Sequence, residues 1–355
     1  MRIAIVGGGA AGMVTAYLLN TYHHITVIEK QPILGGNIRT LNKNVTDVDL
    51  DAGITLDNGV IEFQRDTFVQ FHKLMNKLGV HLADVDGGST ALFLADGRHI
   101  SGPGVIKASA LSWPQRIQAY LKLLPIWTSY QHFLRQTENP QVLVGKPIAD
   151  FWRDDVWCIW QRMPLMYGYS IPYAKIDDFP AEIGAQILRQ SGQGTSWTRV
   201  VGGVYTYIEK IVETFQGNII CNANIKTIIR QSNGVMITLA SGDELHFDKL
   251  VFVMPPDQVL KLVADATPEE QRRFAAWQAN KATTIIHTDL SMYQRYGVSF
   301  YSEFDLFEKE GGQDAGYNAY LNRLCGLPTT QSPHYSLAYN LAESIDPTKV
   351  VHRQD

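Results

Sequence analysis

Three glycines near the start of the chain, Gly7, Gly9 and Gly12, stand in the spacing GxGxxG. Glycine lets a backbone turn tightly and come close to an anion with no side chain in the way. In such a turn Gly7 permits the bend, Gly9 the approach to a pyrophosphate, and Gly12 the close packing of helix on strand. Ala10 and Ala11 are small and open a helix, whose free N–H groups and positive dipole end favour phosphate. Glu29, followed by Lys30, lies about twenty residues further on, where a carboxylate accepts hydrogen bonds from ribose hydroxyls and repels a 2′-phosphate. That charge disfavours NADP.

These residues need a strand, a turn, a helix and a second strand to hold them. "RIAIV" reads as a buried parallel strand, and "MVTAYLLN" carries Val14, Tyr17 and Leu18 at helical spacing. "HHITVIEK" reads as the second strand and delivers Glu29 at its end. A glycine turn alone is weak, since glycines also gather in ordinary turns. Within a complete βαβ unit it reads as a dinucleotide fingerprint.

The chain has 355 residues, 45% hydrophobic and 19% charged, which suits a folded protein of two domains or one large α/β unit with an insertion. Its net charge of −4 and lack of a basic run argue against nucleic acid as a partner. Cys158, Cys221 and Cys325 are widely separated, which suits neither a disulfide framework nor a zinc site and points to a reducing compartment. No metal site is expected. Without a signal-like start or a span of roughly 18 apolar residues, a cytoplasmic location is expected.

One short loop past Glu29, "KQPILGGNIRT" brings a second glycine pair, Gly35-Gly36. Fingerprint, acid and doublet together resemble the flavoprotein superfamily of amine oxidases, phytoene desaturases and protoporphyrinogen oxidases. Ala16 matches their small helix residue. The resemblance implies a Rossmann-like FAD-binding domain with an inserted mixed α+β substrate domain, and a doublet lying against the FAD diphosphate. The family usually carries Arg two residues before the doublet and Arg or His directly after it. Ile33 and Asn37 stand there instead, with Arg39 nearby. Asp57-Asn58-Gly59-Val60 matches the turn that brings backbone N–H groups beside the flavin; its plainer reading is a β-turn. Ile225 occupies the place of a residue that contacts adenine through its backbone.

Between them, "DTFVQFHKLMNKLGV" reads as an amphipathic helix with Phe68, Phe71, Leu74, Met75 and Leu78 on its apolar face. From about Trp113 to Trp197 the chain is dense in aromatics and mainly helical in pattern. This insert could line a pocket for a hydrophobic substrate or rest on a membrane surface, although core packing explains most single aromatics. Later, "WTRVVGGVYTYIEKIVETF" places Gly202-Gly203 before a helix, and residues 218–256 read as strands with Asn-Gly and Ser-Gly-Asp turns. "NKATTIIHTDLSMYQ", "YNAYLNRLCGL" and "IDPTKVV" resemble NAD/FAD-binding proteins associated with cyclopropane-fatty-acyl-phospholipid synthase.

The expected domains are residues 1–75 and 201–265 for FAD, and 76–200 and 266–355 for substrate. The family's C-terminal glycine turn toward the flavin is not recognisable before "VVHRQD", so a truncated flavin site or a fragment is expected. The function implied is an FAD-dependent oxidoreductase of amine-oxidase type, moving hydride from a hydrophobic, lipid-like or amine small molecule to flavin. The alternative is a degenerate nucleotide-binding protein without turnover. Lys281 is the positional candidate for the lysine that amine oxidases place near the flavin; its plainer reading is a solvated edge charge. His287 reads as structural.

Overall fold

A computed structural model describes all residues except 86–88, 154, 155, 192–195, 278, 280, 299 and 313. Its contacts form two compact units. Unit 1 comprises Met1–Ile61, Gln70–Ala83 and Val200–Asn280; unit 2 comprises Glu62–Val69, Asp84–Arg199 and Lys281–Asp355.

In unit 1, β1 (Arg2–Val6) lies in a parallel sheet between β2 (His24–Ile28) and the strand Lys249–Phe252, with Asn218–Ile220 outside β2. Ile5 aligns with Val27 on one side and Val251 on the other. Four of five residues in each of β1 and β2 are buried, the expected pattern for a parallel sheet covered on both faces. A meander of Ile225–Gln231, Gly234–Leu239 and Glu244–Phe247 packs on one face, where Ile228, Ile237 and Phe247 join Ala4, Val6 and Ile28. Its first hairpin turns at Asn233-Gly234, with Gly234 at φ +145°, and Ile228 faces Ile237 across it.

Helix α1 (Ala10–Leu19) also packs on this sheet. It buries Gly12, Met13 and Ala16 rather than Val14, Tyr17 and Leu18; Leu18 is exposed. The need for Gly12 to touch the turn rotates the buried face one step from the one that hydrophobicity suggests. Helix α2 (Val69–Leu78) fully buries Met75 alone, and Phe68 lies ahead of it and exposed. Phe71 meets Tyr207 edge-on and Lys77 sits over the Tyr17 ring, so most of α2 belongs with unit 1.

Unit 2 is built on a seven-stranded sheet. The order is Val350–Gln354, Thr284–His287, Ser336–Tyr339, Ala315–Tyr320, Phe304–Glu308, Thr90–Phe93 and His99–Ser101. Only the Phe304–Glu308 and Thr90–Phe93 pair is parallel. Phe93 stacks on Phe307 at 4.6 Å, with Tyr293 and Tyr296 edge-on around them. Between residues 103 and 191 the described chain is mainly helical. No helix among the described residues is long and apolar enough to cross a membrane.

Candidate functional site

The first glycine turn leaves the end of β1, and at Gly7, Gly8 and Gly12 it has no room for a side chain, whereas a Cβ on Gly9 would make ordinary contact with Gly36 at 3.6 Å. Gly7 adopts φ +114°, and a Cβ on it would lie 2.4 Å from the Val253 carbonyl oxygen. A Cβ on Gly12 would lie 1.9 Å from the Gly7 oxygen, so the helix can start where it does only with glycine there. Gly8, which the spacing rule leaves free, is constrained as well. Its N–H donates to Glu29 Oε2 at 2.6 Å, and a Cβ would meet Leu34 and Glu29.

The first helical rung of α1 runs from Met13 N–H to the Gly9 carbonyl at 2.9 Å. The N–H groups of Ala10, Ala11 and Gly12 therefore stand ahead of the ladder. Gly9 supplies no capping side chain, and the first turn holds no acid. These are the conditions under which a helix start can accept an anion.

The second doublet docks onto this turn. Gly35 N–H donates to the Gly8 carbonyl at 2.9 Å, making a parallel bridge between Gly9 and Gly35. Gly36, at φ +59°, comes so close that a Cβ would sit 2.9 Å from Gly9 Cα. Two glycine segments separated in sequence thus form one surface of bare backbone. Asn44 braces the loop that carries the doublet: its Nδ2 donates to the Leu34 and Ile38 carbonyls at 3.1 and 2.8 Å, and its Oδ1 accepts the Thr40 N–H at 2.8 Å. Nothing in its sequence neighbourhood marks Asn44, because the bonds depend on the loop's closed path.

Glu29 is buried at the end of β2, where Oε1 also accepts the Gln31 N–H at 2.8 Å. Each carboxylate oxygen keeps further acceptor capacity. Lys30 is exposed. Arg39 is half-buried and donates to the Leu34 and Ile38 carbonyls at 3.4 and 3.3 Å. Burial lowers its guanidinium pKa, opposed by the nearby Glu29 and Tyr205.

The pair β3 (Arg39–Leu41) and β4 (Leu56–Asn58) sets Arg39 opposite Asn58. Gly59 follows at φ +111°, and its Cβ position would lie 2.9 Å from the exposed Asn37's carbonyl oxygen. Asn58 is buried, whereas Val60 is exposed. Thr40 Oγ1 donates to Asp57 Oδ1 at 2.5 Å, and that oxygen also accepts the Val204 N–H at 2.8 Å. Gly203 is pressed against both Thr40 and Asp57, which ties the 202–203 turn to this ribbon. Ile225 opens the first meander strand, half-buried; two residues before it, Ala223 N–H bonds the Glu29 carbonyl at 2.9 Å. The structure therefore gathers the glycines, Glu29, Asn37, Arg39, Asn58 and the approach to Ile225 within unit 1.

Lys281 lies in unit 2, exposed, ahead of the Thr284–His287 strand. His287 on that strand is fully buried in a polar chain. Asp289 N–H donates to its Nδ1 at 3.1 Å, which places the proton on Nε2, 2.9 Å from Asn318 Oδ1. Asn318 Nδ2 donates to the Tyr293 hydroxyl at 3.0 Å, and that hydroxyl donates to Asp305 Oδ2 at 2.8 Å. Burial lowers the His287 pKa and pushes Asp305 up to about 6.

A second acid group lies nearby in sequence. Glu303 is buried, with Oε2 accepting the Ser89 N–H at 2.9 Å and Oε1 3.7 Å from Arg323 Nε. Burial raises it to about 7, and burial together with Glu303's charge raises Glu62 to about 8. Sequence motifs do not reveal these acids, because their partners are scattered over more than two hundred residues.

Residues 5–73 match the family model described as an NAD(P)-binding Rossmann-like domain. No curated protein matches the chain in sequence. Among solved structures, a protein named as a candidate protoporphyrinogen oxidase from Exiguobacterium sp. 255-15 is 16% identical, with a TM-score of 0.64 over 95% of this chain and 76% of that one. A double mutant of putrescine oxidase, made to redesign cofactor binding, is 14% identical, with a TM-score of 0.62 over 98% and 79%. A CLA-producing fatty acid isomerase from P. acnes is 16% identical, with a TM-score of 0.62 over 99% and 85%.

The chain shares their fold. It is an α/β protein with a Rossmann-like domain, and the match to these structures extends through unit 2. At these identities the likeness describes architecture, and the chemistry rests on the residues themselves.

Proposed function

We propose that unit 1 holds FAD and that the chain is an FAD-dependent oxidoreductase of amine-oxidase type. The observation that carries this reading is the approach of Gly36 to Gly9, where two glycine segments present backbone alone beside an uncapped helix start. A plain dinucleotide turn does not require the second segment. Gly7, Gly9, Ala10, Ala11 and Gly12 would face the diphosphate with Gly35 and Gly36, while Glu29 would accept the adenosine ribose hydroxyls. Asn37, Arg39, Asn58, Gly59 and Val60 would border the flavin half, and Ile225 the adenine.

When bound, the flavin supplies hydride acceptance from a C–H or C–N bond. The chain's own residues bind, orient and exclude water. Named neighbours include an oxidase of putrescine and an isomerase of a fatty acid, so amine and lipid-like substrates both fall within this reading. The finer resemblance to proteins associated with cyclopropane-fatty-acyl-phospholipid synthase favours the lipid-like class. Lys281 is proposed as the flavin-side lysine; Lys281→Met should slow substrate-dependent reduction while leaving bound flavin in place.

One observation favours nucleotide binding without turnover. Ile33 and Asn37 stand where the resembled family carries cations, and Nη1 of the nearby Arg39 already donates to two backbone carbonyls. The visible spectrum of the purified chain separates the readings. Flavin absorption that bleaches when a substrate is added without oxygen supports the oxidoreductase. A folded protein that takes up no FAD, or that binds only adenine nucleotides, overturns the oxidoreductase and supports the second reading, as does one whose bound FAD is bleached only by dithionite across amine and lipid panels.

A further inference from the structure

The helix Trp113–Leu121 in unit 2 has no buried residue, although it carries Trp113, Ile117, Tyr120 and Leu121. Its start is well defined: Gln115 Oε1 accepts the Ser112 N–H at 2.9 Å and the Ser112 hydroxyl at 2.7 Å. Lys122 and Leu123 keep right-handed helical backbone and lead into the helix Leu124–Gln136. That second helix anchors itself inward through Ile126, Ser129 and Phe133, and leaves Leu124 and Trp127 outside. Trp113 and Trp127 are 73% and 58% exposed, so both indoles stand largely clear of the protein.

An apolar face on a helix usually exists to be covered. The charges say by what. From His99 to Thr137 there are four cations, Lys107, Arg116, Lys122 and Arg135, and no Asp or Glu, in a chain whose net charge is −4. Tryptophan and tyrosine among aliphatics, flanked by lysine and arginine without acids, suit the boundary between an anionic headgroup layer and acyl chains. A second copy of this chain would bring the same four cations against themselves, which opposes self-association through this face.

We propose that the helices Trp113–Leu121 and Leu124–Gln136 form a docking surface for an anionic lipid membrane. The two tryptophans and their aliphatic neighbours enter the headgroup–acyl boundary, while Lys107, Lys122 and Arg135 remain at the phosphate level. The inference is independent of which cofactor unit 1 holds.

Sedimentation of the full chain with vesicles tests this surface. Vesicles of phosphatidylcholine with about one quarter phosphatidylserine, an anionic surface of the required kind, are compared with phosphatidylcholine alone, at low and high salt. The chain should pellet with the anionic vesicles, several-fold less with the neutral ones, and return to the supernatant as salt rises. Trp113→Ser with Trp127→Ser should weaken partitioning by more than about tenfold. Lys107→Gln with Lys122→Gln should weaken it by about twenty-fivefold, near fivefold per cation. All four side chains are exposed, so both variants should keep the parent's melting temperature, which is measured alongside. A folded chain that ignores anionic vesicles overturns the proposal. So does a dimer that the double tryptophan variant dissolves, since the face would then cover a second copy.

Discussion

In unit 1 the glycine segments of the candidate site offer backbone atoms alone, with the Glu29 carboxylate beside them. N–H groups, carbonyls and Cα atoms form that surface, and at Gly7, Gly12 and Gly36 neighbouring backbone leaves no room for a side chain. In unit 2 the notable chemistry lies in side chains: Asp305, Tyr293, Asn318 and His287 pass hydrogen bonds along a buried chain, and Glu303 and Glu62 sit where burial resists their ionisation. At Gly7, Gly12 and Gly36 the first kind of site has no room for an added atom. The second tolerates no removed one.

That contrast orders the expected effects of substitution. Gly12→Val should be the most damaging, because even its Cβ would lie 1.9 Å from the Gly7 oxygen and no rotamer relieves a backbone clash. A loss above about 4 kcal/mol, or failure to fold, is expected in urea unfolding. In unit 2, Asp305→Ala should cost about 3 kcal/mol, since the Tyr293 hydroxyl and the N–H groups of Ala91 and Ser302 would lose their acceptor. Asp305→Asn, which keeps one acceptor oxygen, should recover part of that loss. Equal melting of the alanine and asparagine variants would mean that packing, not the polar chain, holds this sheet.

The acids also predict a pH slope. Their folded pKa values lie above the unfolded values of roughly 4, so the native state holds protons that the unfolded chain has released. Stability from this source is fully present below about pH 4 and is lost as pH rises through about 6 for Asp305, 7 for Glu303 and 8 for Glu62. His287 has the opposite sign: its lowered pKa costs stability as pH falls below about 6.5. Between about pH 6.5 and 8 the acids alone should therefore tilt the curve downward, by up to about 1.4 kcal/mol per pH unit for each proton held. Glu62→Gln should flatten the upper part of that slope in chemical denaturation. The smallest effect is expected at Trp113→Ser, within about 0.5 kcal/mol of the parent, because its side chain is largely exposed.

The same contrast explains what the sequence makes legible. Gly7, Gly9, Gly12, Glu29, Gly35 and Gly36 lie within thirty residues; spacing points to the first four, and the family resemblance adds the doublet. Gly8 and Asn44 escape notice because their constraints come from Leu34 and from the path of a loop. The α1 face is misjudged by one step because a glycine contact, not hydrophobicity, sets its rotation. Aromatic density marks the insert as unusual, yet composition cannot say which tryptophans the fold leaves outside. Glu62 and Glu303 carry no signal at all, being brought together by strands far apart in the chain.

The direct test is uptake of FAD by the apo chain, followed by quenching of flavin fluorescence, for the parent and for Gly36→Ala. Alanine at position 36 would crowd Gly9 and adopt an unfavourable φ of +59°, at a cost to folding of about 1–2 kcal/mol. The expected result is one FAD per chain for the parent, and binding at least about tenfold weaker for a variant that remains folded. Equal affinity for the two, or no uptake by a folded parent, would contradict a backbone-built FAD site in unit 1.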